Sequence, residues 1–569
     1  MNDSKNLILA VVLSALVLLG WSWAANRFFP TANPPSAKVE PNKPKAEQQP
    51  QPHAQAAPAA PKKLQSVPAA LASSPRVAIR TPSLRGSINL KGAQIDDLLL
   101  VNQKQTIEPN SPPVRLLSPL GAPDAYIAEF GWAAQGAQVP TLDTMWTADS
   151  NQLTPGRPVT LSTQMPDGTR YQIKIAVDED YLFTVNQSVL NASGKPITVR
   201  PTGLVSRATK SSDPDSWTNH VGPIGVFDGE ANYDIDWKDL DAGESESFGN
   251  VPGWLGFTDK YWLTALAPAS SMTGEFRRSP SGGYQADYAL APVTVAPGQS
   301  ASSSAHFFAG AKVKPLLDRY QEAGIPQFSY AIDWGWFHWF MIPIFDLLLF
   351  LFRTLGNFGL AIIALTFIVR AIMFPIAQKQ FQSMAAMRKL QPKMKALQER
   401  FKDDKQRQQQ EILKLYQSEK VNPAAGCLPI VLQIPVFYAL YKVLLVSVEM
   451  RHQPFILWIK DLSAHDPLTP VNLFGLLNFT PPAMLAIGVL PIMVGATQWL
   501  SMKLNPQPMD PAQAQIFAIM PWVLVFIMAP FAAGLQLYWI TNNLLTVAQQ
   551  WWLYRKFGLH LSDTHPVHT

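Results

Sequence analysis

Arg370 is the residue whose type and position ask first for an explanation. It sits in the run Leu365-Thr-Phe-Ile-Val-Arg-Ala-Ile-Met-Phe-Pro375, six residues before the end of an apolar stretch over 358–376. A cation at mid-helix in hydrocarbon costs about 2.5–3.5 kcal/mol even on the lenient insertion scale, so it needs a reason. Two readings stand open. The side chain reaches the nearer interface, about 9 Å away at 1.5 Å per residue, or it stands in a hydrated pocket between helices where an anionic guest would meet it. Thr366 lies one turn earlier on the same face. Gln433, Thr497, Gln498, Gln536, Thr541, Asn542 and Asn543 put amides and hydroxyls on four apolar stretches. Scattered groups of this kind contribute about 0.6 kcal/mol each as interhelical hydrogen bonds. Beside an unpaired cation they serve equally well as the lining of a wet cavity. No acidic residue lies in the other apolar stretches to neutralise Arg370. Lys442, four residues from the end of its stretch, reads as a cation that snorkels to the surface.

Other chemistry is missing. There is no GxxxxGK[ST] loop for nucleotide phosphates, no HExxH and no GxSxG. The single cysteine, Cys427, excludes an intrachain disulfide and a Cys-rich zinc site. The expectation is a protein that is not an enzyme, with no metal, no cofactor and no direct nucleic-acid contact.

The elements that must position Arg370 follow from where the apolar residues fall. The chain has 569 residues, 47 % of them hydrophobic, and its mean hydropathy is +0.02. That average hides a concentration at the two ends. Residues 1–29 read as a transmembrane anchor built on Leu7–Ala25, too long for a signal-peptide core. Residues 30–71, rich in Pro, Ala, Gln and Lys, cannot bury enough surface to offset ordering and read as a disordered linker. Residues 72–325 alternate apolar and polar side chains in runs such as Ser87–Lys91, Tyr171–Val177 and Tyr181–Leu190, separated by Gly, Pro, Asn and Asp. This predicts a large β-sandwich with one helix, Lys312–Glu322, and with its Asp and His residues on a solvated surface. Residues 334–353 carry clustered aromatics with Asp346 and Pro343 and read as an amphipathic helix lying at the membrane interface.

Five more spans are expected in 354–556, over 358–376, 427–446, 484–500, 516–530 and 535–553, and two of them, 484–500 and 516–530, look short. Pro435, Pro491 and Pro521 interrupt three of the five. Between the first two, 378–423 reads as a helical hairpin whose first arm Pro392 must kink or break. Residues 557–569 form a tail. The hairpin segment holds 11 Lys+Arg against 5 Asp+Glu. With six spans, it, the N-terminus and the Arg555-Lys556 tail all face the cytosol, and the β-sandwich faces outward. The fold class expected is therefore a polytopic α-helical membrane protein with a large periplasmic β-sandwich domain and a cytoplasmic helical hairpin.

Several runs carry a family resemblance. Thr366-Phe-Ile-Val-Arg-Ala-Ile-Met-Phe-Pro375, Leu390-Gln-Pro-Lys-Met-Lys-Ala-Leu-Gln-Glu-Arg400, Asp403-Asp-Lys-Gln-Arg407, Lys420-Val-Asn-Pro-Ala-Ala-Gly-Cys-Leu-Pro429, Leu457-Trp-Ile-Lys-Asp-Leu-Ser463 and Gly534-Leu-Gln-Leu-Tyr-Trp-Ile-Thr-Asn-Asn543 together resemble the bacterial YidC family of membrane-protein insertases, in its Gram-negative form. The resemblance implies a five-helix insertase core with a hydrophilic groove open to cytosol and lipid. It implies nascent membrane proteins, the lipid bilayer and the Sec translocon as partners. Contact with the ribosome should be weak, because the tail after Lys556 lacks a long basic extension. The family's groove arginine falls on Arg370, its neighbouring polar residue on Thr366, and a groove-lining position on Gln433. Trp539 stands where relatives often carry Tyr, and Gln536 where they are usually apolar. A hydrophobic slide for the client would include Ile430, Ile434 and Phe437 of the third span and Phe517 and Pro521 of the fifth. Two other classes remain. A secondary transporter or channel lacks the intramembrane acids and internal repeat expected of it, and an anchored periplasmic chaperone would leave Arg370 without a role.

Overall fold

The computed structural model describes residues 64–556 except 136, 214–218, 280–281, 403, 420–427, 475, 478, 480–486 and 505–510. It describes the backbone alone for 380, 383–389, 391, 405, 428–432 and 511–514. The expected N-terminal anchor 1–29, most of the linker 30–71, the tail 557–569 and the side chain of Ile430 lie outside the described residues.

Two stacked sheets make up the first half. One has eleven strands and is centred on Tyr126–Gln135 and Ile197–Arg207; the other has nine and is centred on Leu182–Leu190 and Ser300–Ala311. Strands Arg170–Val177 and Leu182–Leu190 pair antiparallel with Phe183 opposite Val177 and Leu190 opposite Arg170. Alternating burial in Ile197–Arg207 and Arg170–Val177 is the two-residue period read from the sequence. The sheets are joined by polar contacts as well as by apolar packing. Tyr126 Oη lies 2.5 Å from Thr264 Oγ1, and Gln187 Nε2 donates to Gly131 O at 2.6 Å.

The solvated-surface expectation for this domain's acidic and His residues needs correcting. Asp96, Asp97, Asp259 and His220 are buried. Asp96 pairs with Arg76, Asp97 with Arg115 at 2.5 Å, and Asp259 with Arg207 at 3.2 Å, while His220 Nε2 lies 2.6 Å from Pro223 O. Burial without a partner is what costs, and each of these has one. Among the described residues α1 (Val67–Leu71) falls at the end of the expected linker, and 72–325 holds two helices, not one: α2 (Trp237–Asp241) and α3 (Lys314–Glu322). Asp236 starts α2, its side chain accepting from Lys238 N and Asp239 N while Asp239 reaches back to Asp236 N.

Among the described residues seven α-helices follow: α4 (His338–Leu355), α5 (Phe358–Arg400), α6 (Lys405–Ser418), α7 (Leu428–Val446), α8 (Val489–Lys503), α9 (Pro511–Met528) and α10 (Ala533–Lys556). Among the described residues, α4 and the Phe358–Lys379 part of α5 are long and apolar enough to cross a membrane by length and composition, with Gln433–Val446 and Gln515–Met528 as shorter apolar helices. Three expectations about proline and length change. Pro392 does not break its arm, because α5 runs unbroken through Pro375 and Pro392. Pro491 interrupts nothing, because α8 starts at Val489 and its first turn has no intrahelical acceptor to lose. Helix α9 is 18 residues, starting five earlier than expected at Pro511, so at 1.5 Å per residue it is about 27 Å long. Helix α8, at 15 residues, is the short one.

The segment between α7 and α8 gathers the ends of the other helices. Asn357 Nδ2, which precedes α5, donates to Phe455 O at 3.2 Å, and the Phe455 ring lies over Gly359, where an added Cβ would overlap it. Ala533 N and Gly534 N, at the start of α10, donate to Ala464 O at 2.7 Å and Leu462 O at 2.9 Å. Asp466 accepts from Leu490 N, in the first turn of α8, at 2.7 Å. The same segment holds the β domain. Arg451 donates to Lys104 O at 2.7 Å and lies over the rings of Tyr261 and Trp262. Glu449 Oε1 accepts from Lys314 N at 3.1 Å, and burial pushes that carboxyl above the usual carboxylate range.

Candidate functional site

Helices α5 and α10 bring Arg370 to its partners. Packing between these two apolar helices leaves the guanidinium half-buried beside the polar stripe of α10. Its Nε donates to Asn542 Oδ1 at 2.7 Å; its Nη2 donates to Thr546 Oγ1 at 2.5 Å and to Asn542 O at 3.3 Å. Thr546 is four residues after Asn542, so the two acceptors stand on one face of α10. Nη1 has no partner among the described residues, and no described carboxylate pairs with the side chain. Of the two sequence readings, the structure shows a cation held between helices by neutral oxygens.

Thr366 is buried one turn before Arg370 but does not meet it. Its hydroxyl donates to Ile362 O of its own helix at 2.7 Å. Gln433 of α7 donates through Nε2 to Tyr538 Oη of α10 at 2.5 Å. Trp539 turns the other way: its Nε1 donates to Gln498 Oε1 of α8 at 3.3 Å, and its ring packs edge-on against Phe437 with centroids 4.9 Å apart. Asn543 Nδ2 donates to Thr497 Oγ1 at 3.2 Å, which is the interhelical bonding expected of scattered polar groups. Gln536 is buried and structural, its Nε2 donating to Met528 O at the end of α9 and to Phe531 O just beyond it. Sequence reasoning missed Tyr538 and Thr546. The first lay inside a quoted motif, and the second was signalled only by its spacing of four from Asn542.

The residues proposed to receive a client's apolar segment divide. Ile434 is 61 % exposed and Phe517 is exposed as well. Phe437 is half-buried against Trp539. Pro521 is a correction: it is buried, because α9 approaches α8 so closely at Gly495 that an added Cβ would meet Val525 at 2.4 Å and Pro521 O at 3.1 Å. The outward apolar face of α9 is carried instead by Ile516, Ile519, Trp522, Val523 and Phe526. Just beyond the end of α9, Phe531 packs edge-on against Tyr441 of α7 with centroids 5.7 Å apart.

Lys442 is the second correction. It does not snorkel: it is 1 % exposed and pairs with Asp333 at 3.0 Å. Asp333 also accepts from His220 N of the β domain at 3.2 Å.

Comparison with known proteins fits this arrangement. The family described as 60Kd inner membrane protein matches residues 350–559, and the YidC periplasmic domain matches residues 76–347. A membrane protein insertase YidC from Zymomonas mobilis is 48 % identical over 97 % of this chain and 95 % of its own length. One from Bradyrhizobium diazoefficiens is 43 % identical over 98 % of this chain and 97 % of its own. One from Acidiphilium cryptum is 46 % identical over 86 % of each. With both halves matched in order, the chain belongs to the YidC family of inner-membrane protein insertases, which act as insertases and chaperones and not as enzymes.

Proposed function

We propose that Arg370 is the receiving group of the insertase, and that its pairing with neutral oxygens alone is what fits it for that task. A carboxylate held there permanently would satisfy the cation; Asn542 and Thr546 orient it and leave its charge uncancelled. An acidic N-tail or hairpin of a nascent membrane protein then finds an attraction of up to ~4 kcal/mol at about 4 Å and an effective dielectric near 20, before desolvation is subtracted. Gln433 and Tyr538 extend the polar wall from α10 to α7. Thr366 keeps the helix surface beside the arginine small. The exposed apolar residues Ile434 and Phe517 receive the client's hydrophobic segment, which leaves sideways into lipid. Apolar transfer and the membrane potential, about 2.3 kcal/mol per charge per 100 mV, drive the step.

The orientation belongs to the same proposal. Helix α4 touches outward elements along its length: Asp333 precedes it beside His220, Asp346 in its middle pairs with Lys314 at 3.1 Å, and Asn357 beyond its end bonds the Phe455 carbonyl. These contacts support a helix lying on the outer surface, and with it six spans and cytosolic termini. Helix α6 returns along the far end of α5, with Gln408 Nε2 on Gln398 O at 2.9 Å and Lys393 on Glu419 at 2.7 Å. This supports a cytoplasmic hairpin able to capture clients, the Sec translocon or, weakly, the ribosome.

The test is insertion of a small client in proteoliposomes, once with an acidic N-tail and once with that tail neutralised. Arg370→Ala should abolish the preference for the acidic tail and Arg370→Lys should keep part of it. Equal insertion of both clients by wild type and Arg370→Ala would end the proposal.

A further inference from the structure

We propose that Val471, Leu473, Phe474, Leu476, Leu477 and Phe479, between α7 and α8, insert into the outer leaflet of the bilayer, given the orientation proposed above, and anchor that end of the core to lipid. The segment is a turn. Thr469 opens a short 3-10 stretch, Pro470–Asn472, its hydroxyl accepting from Val471 N, and Phe474 N and Leu477 N return to Thr469 O and Asn472 O at 2.9 and 3.0 Å. Leu473 and Phe474 are held at φ +50° and +58°, a conformation that side-chain-bearing residues adopt only where the surroundings impose it. Six large apolar side chains stand out from it: Val471, Leu473, Phe474, Leu476, Leu477 and Phe479 are all exposed, with Leu476 at 84 % and Phe474 at 54 %. In water so continuous a patch is a liability; in a membrane protein it marks a surface that something apolar covers.

Three observations identify the cover as lipid. The turn is continuous with the membrane core, since it follows α7 and leads into α8. It carries no charge, and no charged residue occurs anywhere from Pro467 to Met502, so no charged side chain opposes its burial among acyl chains. Its base is fixed: Asp466 accepts from Leu468 N at 3.0 Å, Leu490 N at 2.7 Å and Trp458 Nε1 at 3.0 Å. The β domain, held by Arg451 at the start of the same connection, leaves these six side chains uncovered. The anchored base therefore holds these apolar side chains at the surface.

The experiment uses the full chain in nanodiscs, where both membrane faces are open to solvent. In a Cys427→Ser background, a polarity-sensitive fluorophore is attached at Leu476→Cys, separately at Phe479→Cys, and at Lys195→Cys on the β domain as a control. Shallow nitroxide lipids should quench the two turn sites, and iodide should quench them about fivefold less than the control, as for a segment about 5–10 Å below the headgroups. Iodide quenching equal to that at Lys195→Cys would overturn the proposal. Turn sites shielded from iodide and from lipid nitroxide alike would also overturn it, in favour of a protein cover.

Discussion

Two cations stand inside the same helical bundle and are treated in opposite ways. Lys442 is fully buried and meets a carboxylate, Asp333, which the β domain also holds through His220 N. Arg370 is half-buried and meets only an amide, a hydroxyl and a main-chain carbonyl. The first arrangement ties the β domain to the core; the second leaves the cation without a carboxylate partner among the described residues. The residue types suit the two arrangements. A lysine is a point charge that one carboxylate satisfies, whereas the planar guanidinium accepts two oriented neutral partners and still presents a free edge.

The largest effect should come from cutting the paired cation. Lys442→Ala leaves Asp333 uncompensated and should cost about 3–5 kcal/mol of stability, while the double variant Lys442→Met with Asp333→Asn recovers most of it; denaturation of the full chain in detergent measures both. Next is converting the second arrangement into the first. Asn542→Asp places an anion on Arg370, and insertion of an acidic-tailed client should fall by about tenfold, equivalent to 1.4 kcal/mol, with thermal stability unchanged or higher. Undiminished insertion by this variant would erase the functional distinction between the two sites. Tyr538→Phe, which removes the acceptor of Gln433, should cost about 1 kcal/mol and lower insertion of acidic and neutral clients alike.

A separate, pH-dependent effect concerns a buried cation of the β domain, Lys312, whose Nζ donates to Thr258 Oγ1 at 2.8 Å. Burial pushes its ammonium down to about 8, against the pull of Asp259 and Asp333. Between pH 8 and the ordinary lysine value near 10.5, the unfolded chain binds this proton and the folded chain does not, so stability rises with pH across that window. Below pH 8 both states are protonated and the slope vanishes. Lys312→Met should flatten the 8–10.5 segment of the profile in hydrogen exchange of strand Ser300–Ala311.

Periodicity made the half-buried strands and the apolar helices legible. It failed for strands Gly222–Phe227 and Gly253–Thr258, which are buried on both faces and show no alternation. Helix ends were displaced where proline is compatible with a first turn, as at Pro491 and Pro511. Arg370 was visible because a charge in an apolar run is conspicuous in one dimension. The partner of Lys442 was not, since Asp333 is 109 residues away and only the fold joins them. Pro521 misled for the related reason that which face of α9 is covered depends on Gly495 of α8.

Helix α5 runs 43 residues without interruption from Phe358 past Arg370 to Arg400. Arg370 and the far tip of the basic arm thus share one rod, about 45 Å apart at 1.5 Å per residue. A tilt of about 5° at Arg370 carries the tip through about 4 Å, with bending concentrated at Pro375 and Pro392, where the ladder lacks a rung. Movement of the distal arm is in this way geared to the helix turn that carries Arg370, with leverage set by nothing more than the length of a single helix.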